Sequence, residues 1–213
     1  MKIGIFGGTF DPPHNGHLIA AQDACEALRL DRLLFIPAGN PSHKRDQTIS
    51  PAAIRQEMLQ AAVAGDDRFE VSDIELRRAG FSYTADTLRQ LKDTHRDAEF
   101  YLLLGADQVR DLPTWYEPEE VARLARVVLI SRSGVDAVPQ VESMIFTTVR
   151  ITRIDVSASD IRQRVAEGRS IRYLVPAAVE TIIRERGLYT VRETASNSPR
   201  PLPNGDAEAG VAS

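Results

Sequence analysis

Short, continuously apolar runs alternate with amphipathic stretches along most of this chain. The runs IGIF at 3–6, LLFIP at 33–37, FYLLLG at 100–105 and VVLIS at 127–131 have strand length and no polar face. That is the pattern of strands buried on both sides of a parallel sheet. Between them, residues 17–29, 51–64, 84–95 and 118–125 carry helical patterns, and the alternation predicts an α/β fold with a doubly wound parallel sheet and helices on both faces. A further strand is predicted at 151–155, because ITRIDV alternates. Ser159 is then placed to cap a helix through Ile161 and Val165 that Gly168 ends, and Pro176 suits the first turn of a last helix that Gly187 ends. In such a sheet the loops after the strands gather at one edge, where ligands bind.

The order of polar segments fits that geometry. GGTFDPPH follows the first strand, AGNPSHK the second, and ADQ the strand ending at Leu104. The segments 40–48 and 107–118 read as loops. After Val191 the composition changes to Pro, Ser, Ala and Gly with few large apolar residues, so residues 1–190 are expected to form the working domain and 191–213 a disordered tail.

Bulk properties narrow the function. A chain of 213 residues is within the range of one domain with a sizeable core. The net charge of −4 argues against a broad basic surface for nucleic acid, while leaving a local basic pocket open. One cysteine cannot make an internal disulfide or a cysteine-cluster zinc site, and Cys25 in the Ala-rich first helix is expected to be a buried, inert thiol. The start MKIGIFGG lacks the features of a signal peptide, and the apolar runs are far short of a membrane span. A cytoplasmic enzyme without a membrane partner is the expectation; homo-oligomerisation is left open.

The chemistry concentrates in residues 3–18. Ile3, Ile5 and Phe6 form a buried strand, Gly7, Gly8 and Thr9 turn the chain, and helix signals resume at Gly16, with Leu18, Ile19, Cys25 and Leu28 as core positions. A strand, a glycine turn and a helix N-terminus aim unpaired backbone N–H groups at one spot, which suits a phosphate. His14 and His17 stand where that helix begins and add two donors to the same anion.

GGTFDPPHNGHL resembles the signature loop of the HxGH nucleotidyltransferase superfamily. NPSHK at 40–44, FSYTADTL at 81–88, LLLGADQ at 102–108, Trp115 and VSASDIR at 156–162 follow in the order shown by bacterial nicotinate mononucleotide adenylyltransferases. The resemblance covers roughly residues 1–190 and implies a Rossmann-like fold. The reaction it implies joins ATP to nicotinate mononucleotide, giving deamido-NAD and pyrophosphate, with Mg²⁺ carried on the triphosphate. No acidic cluster reads as a dedicated metal cage.

Residue roles follow from the same resemblance. It implies that His14, His17, Lys44 and Arg162 carry the catalysis. Gly7, Gly8, Thr9, Phe10, Gly105, Asp107, Ser157 and Ser159 join the histidines and Arg162 around ATP. Asn40, Lys44, Tyr83, Thr84, Asp107 and Trp115 meet the mononucleotide. Lys44 would screen the two anions from each other, whereas His43 and Arg45 are less defined and His43 can simply shape its loop. Free N–H groups at the helix entrance near Tyr83 and Thr84 favour a carboxylate over a carboxamide. Trp115 stacks on the pyridine in this reading, although a lone Trp is also ordinary packing. Asp107 serves ribose hydroxyls, caps a helix before Gln108, or does both. VSASDIR departs from the usual ISxTxIR signature only at Val156 and Ser159, which keep shape or hydroxyl.

Other readings fit less well. Phosphopantetheine adenylyltransferases share the loop but have Thr in place of the first His and lack the SYT and Trp115 pattern. Class I aminoacyl-tRNA synthetases need far more chain. A module that binds ATP without turnover would be favoured by loss of His17, Lys44 or Arg162, and all are present. The glycines at 4, 7 and 8 do not have the G-x-G-x-x-G spacing of a hydride-transfer dehydrogenase.

Overall fold

The protein is described here by a computed structural model covering residues 1–39, 49–131 and 146–190. The strands are β1 (Lys2–Gly8), β2 (Arg32–Pro37), β3 (Phe69–Val71), β4 (Glu99–Leu104), β5 (Arg126–Ser131) and β6 (Phe146–Arg150). The helices are α1 (Asn15–Leu28), α2 (Ala52–Val63), α3 (Thr84–Thr94), α4 (Ala106–Asp111), α5 (Pro118–Leu124), α6 (Ala158–Ala166) and α7 (Ala177–Glu185). All strand pairs are parallel, in the order β3-β2-β1-β4-β5-β6. The order reverses between β1 and β4, so a crevice opens beyond their carboxyl ends.

Alternation within the strands builds both faces. Phe100, Leu102 and Leu104 of β4 face a core with Leu88 and Leu91 of α3, Val109 of α4 and Val121 of α5. Tyr101 and Leu103 turn the other way, into a core with Phe35, Val128 and Ala21, Ala24 and Cys25 of α1. Of the predicted core positions in α1, Cys25 is buried, while Leu18, Ile19 and Leu28 are only partly buried; the alanines allow the helix to lie close to the sheet. A third cluster joins Met58 of α2, Ile161 of α6 and Val179 and Ile183 of α7. Burial pushes the Cys25 thiol up to about 11, leaving little thiolate at neutral pH.

Three sequence expectations need correction, and one strand has no counterpart in the pattern. Residues 151–155 are not a strand: β6 runs from Phe146 to Arg150, paired with β5 from Val127 to Ser131. The Ile151 N–H still donates to the Ser131 carbonyl, and from there to Ser157 the chain is not in the sheet. The three-residue edge strand β3 is too short to announce itself in the pattern. Segment 107–118 is largely ordered as α4, a 3₁₀ turn at Leu112–Thr114 and the start of α5. The cap of α6 is Ser157, whose hydroxyl accepts from the Asp160 N–H at 3.1 Å, rather than Ser159. Gly168 and Gly187 stop α6 and α7 as expected, both at positive φ. Tail residues 191–213 lie outside the described residues.

Candidate active site

The loop after β1 is built on close approaches. A Cβ at Gly8 would lie 3.0 Å from the Phe10 ring, and one at Gly16 would lie 3.0 Å from His14 Nδ1, so glycine is what lets the aromatic groups pack here. Phe10 has φ +49° and is almost fully buried; its ring meets Phe6, Phe35 and His17 edge-on or tilted. What Phe10 can offer a ligand is therefore its backbone. His14 caps α1 in an extended conformation, and its ring stacks on His17 with centroids 3.7 Å apart.

The His14 N–H donates to His17 Nδ1 at 3.2 Å. An imidazole nitrogen that accepts carries no proton, so this contact assigns the neutral His17 proton to Nε2 and makes that nitrogen the donor. The ring is also held by Phe6 and Phe10 at 6.1 and 5.0 Å.

On the other side of Gly7–Thr9 lies a cavity of about 600 Å³. Gly7, Gly8, Thr9, Tyr83, Thr84, Asp107 and Trp115 all line it, so residues drawn from four separated motifs meet there. Tyr83 is the N-cap of α3, and the cavity reaches the first turn of that helix, where backbone N–H groups have no intrahelical partner. Trp115 both packs on the sheet core and lines the cavity. Tyr83 and Tyr116 lie against each other at the rim, centroids 4.6 Å apart.

Gly105 is the N-cap of α4, and Asp107 stands in its first turn paired with Arg110 at 3.0 Å. The cap expected of Asp107 is thus supplied by Gly105, whose N–H donates to the Gln108 side chain. Ser157 and Ser159 share a hydroxyl–hydroxyl bond of 2.8 Å at the start of α6. Arg162, one turn on, donates to the Asp11 carbonyl at 2.8 Å, which ties α6 to the β1 loop. His14, His17, Ser157, Ser159 and Arg162 do not line the cavity. Asn40, His43, Lys44 and Arg45 lie outside the described residues.

Sequence reasoning missed Asp11, Glu75, Arg55 and Tyr189. Glu75 lines the cavity and accepts the Thr87 hydroxyl at 2.9 Å; burial raises its carboxyl above the usual range, opposed by that bond and by Arg78. Arg55 is almost fully buried beside Met58 and Leu59 of α2, and a charge on an apolar helix face was a readable signal. Tyr189 had no local signal. Among the described residues, no group of three or more His, Cys, Asp or Glu is placed to hold a metal ion, and no helix is long and apolar enough to cross a membrane.

A parallel sheet with a glycine loop, paired histidines at a helix start and a cavity at the strand-order switch defines a nucleotide-binding α/β protein of the nucleotidyltransferase kind. The cytidylyltransferase-like family model matches residues 5–164, and the chain belongs to that family. Within it the chain groups with the nicotinate-nucleotide adenylyltransferases. It is 44% identical over 212 residues to a probable nicotinate-nucleotide adenylyltransferase of Thermomicrobium roseum, covering 96% of this chain and 99% of that one. A relative of the same name from Thermus thermophilus is 45% identical over 191 residues, covering 89% and 100%. The fold also matches the Plasmodium falciparum nicotinic acid mononucleotide adenylyltransferase complexed with NaAD, with a TM-score of 0.70 at 19% identity over 88% of this chain and 97% of that one.

Proposed function

We propose that this protein transfers the adenylyl group of ATP to nicotinate mononucleotide, forming deamido-NAD and pyrophosphate. The observation that carries this reading is the meeting at the β1–β4 switch of a histidine-bearing phosphate loop with a cavity lined by Trp115 and the α3 N-terminus. An oxygen of the mononucleotide phosphate attacks the α-phosphorus of ATP, and the bond to the bridging oxygen of pyrophosphate breaks. Little covalent chemistry falls to the protein, so orientation and charge stabilisation dominate.

His17 donates from Nε2 to the α-phosphate as negative charge moves toward pyrophosphate, and His14, stacked on it, serves the ATP phosphates. Gly7–Phe10 contribute backbone, and Ser157, Ser159 and Arg162 serve the outer phosphates. By the family resemblance, Lys44 screens the two anionic substrates from each other and Asn40 serves the mononucleotide; both lie outside the described residues. Trp115 covers the pyridine, the first turn of α3 at Tyr83 and Thr84 receives its carboxylate, and Asp107 takes ribose hydroxyls; Gly105 keeps that turn open. Mg²⁺ arrives as the ATP complex, and the reaction belongs in the cytoplasm.

The test is pyrophosphate release with Mg-ATP and either nicotinate or nicotinamide mononucleotide. A strong preference for the acid is expected, because an anion gains from a helix N-terminus and a neutral amide gains much less. Equal rates would remove this account of the pyridine pocket, and silence with both would remove the reaction.

A further inference from the structure

Directly under the phosphate loop lies a charged side chain to which no catalytic part has been given. Arg55 is 2% exposed. Its Nε donates to the Ser50 carbonyl and one terminal nitrogen donates to the Thr9 carbonyl, each at 3.0 Å. Beside it, Asp11 is 3% exposed; its carboxylate accepts the Ser50 N–H at 3.0 Å and the Tyr189 hydroxyl at 2.5 Å. The Asp11 carbonyl in turn accepts Arg162. Loop, α2, α6 and the segment after α7 therefore converge on three consecutive residues, Thr9–Asp11.

A buried guanidinium is expensive, and an apolar side chain would fill this space as Met58 does nearby. The guanidinium does what no apolar group can: it holds two backbone carbonyls in fixed directions. In a trans peptide the C=O and the following N–H point in opposite directions. Turning the Thr9 carbonyl inward onto Arg55 consequently turns the Phe10 N–H outward, on the side away from the core.

We propose that Arg55 is a positioning residue for ATP: by fixing the Thr9–Phe10 peptide plane it aims the Phe10 N–H at the triphosphate. This rests on the adenylyl-transfer reading above. Thr9 lines the cavity as well, but the residues proposed to hold the pyridine, Tyr83, Thr84 and Trp115, stand at the start of α3 and in the turn before α5 and make no bond to Arg55, so the effect falls mainly on ATP.

The experiment is calorimetric binding of Mg-ATP and of nicotinate mononucleotide, separately, to wild type, Arg55→Lys and Arg55→Met, with thermal unfolding in parallel. Arg55→Met should bind Mg-ATP about tenfold or more weakly, Arg55→Lys should recover part of that loss, and mononucleotide affinity should stay within about threefold, the scale of one lost charge-assisted hydrogen bond being about tenfold. Unchanged ATP affinity in a folded variant, or equal weakening for both ligands, overturns the proposal. Should both Arg55 variants fail to fold, the backbone amide resonance of Phe10 in the wild type decides: a shift on adding Mg-ATP that nicotinate mononucleotide does not produce supports the proposal, and no shift with Mg-ATP overturns it. Wild-type turnover is measured alongside, so a protein that binds ATP selectively through Arg55 but makes no pyrophosphate defeats the reaction and leaves the positioning role standing.

Discussion

The two halves of the site are built by different means. The phosphate side, from Thr9 to His17, is held from beneath by Arg55, Asp11 and Tyr189 and from the side by stacked rings. The pyridine side stands on α3 and the turn at 112–117, joined at the surface by Arg89, which reaches Asp86 at 3.0 Å, Glu120 at 3.3 Å and Glu117. Buried polar groups fully paired are costly to rearrange, whereas exposed ion pairs contribute little and yield to salt. On the function proposed above, the part assigned to the phosphates is tied mainly by buried polar contacts and the part assigned to the ring mainly by exposed ones.

That contrast can be broken most severely at His17. Replacement His17→Ala should leave the fold nearly intact and lower kcat by roughly 10²–10⁴-fold, as for other lost transition-state donors. Near-normal turnover in a folded variant would return His17 to a packing role against Phe10.

A smaller and differently shaped effect belongs to the pyridine side. Trp115→Ala should raise the mononucleotide KM about tenfold, the scale of one aromatic contact, with the ATP KM nearly unchanged. Parallel rises in both constants would show that the two halves are mechanically one, contrary to the comparison drawn above.

The smallest effect is on stability, and it sharpens the boundary between the halves, where Glu75 sits against Gly39 and Thr87. Burial raises the folded Glu75 pKa above its ordinary 4.5, so the folded state holds this proton more tightly than the unfolded chain. Stability is then lost as pH rises from 4.5 through the raised folded value. Glu75→Gln removes the loss. Melting temperatures of both proteins between about pH 4 and 7 should diverge in the variant's favour as pH rises; identical pH slopes would show that Glu75 titrates normally.

Legibility in the sequence followed distance along the chain. The first strand, its glycine turn and α1 are readable because their signals lie within residues 3–18, and Tyr83 is readable at the α3 entrance because the helical pattern begins at Thr84. Ser157 and Ser159 both satisfy a capping pattern, and only the backbone trajectory into α6 selects Ser157. The strand expected at 151–155 failed for a related reason: alternation marks a segment able to pair, while the register that actually forms sets Phe146–Arg150 against Val127–Ser131.

By itself, the sequence determined the alternating α/β pattern, the phosphate loop and the order of motifs that places the chain in its family, because each depends on hydrogen bonds and side-chain spacing among near neighbours. The tertiary structure alone decided that Arg162 and Tyr189, 151 and 178 residues further on, close on Asp11. It also decided that β1 and β4 stand side by side with the cavity at their ends. Such meetings follow from which strands pair and which faces bury one another, and no local pattern encodes the partner of a buried polar group.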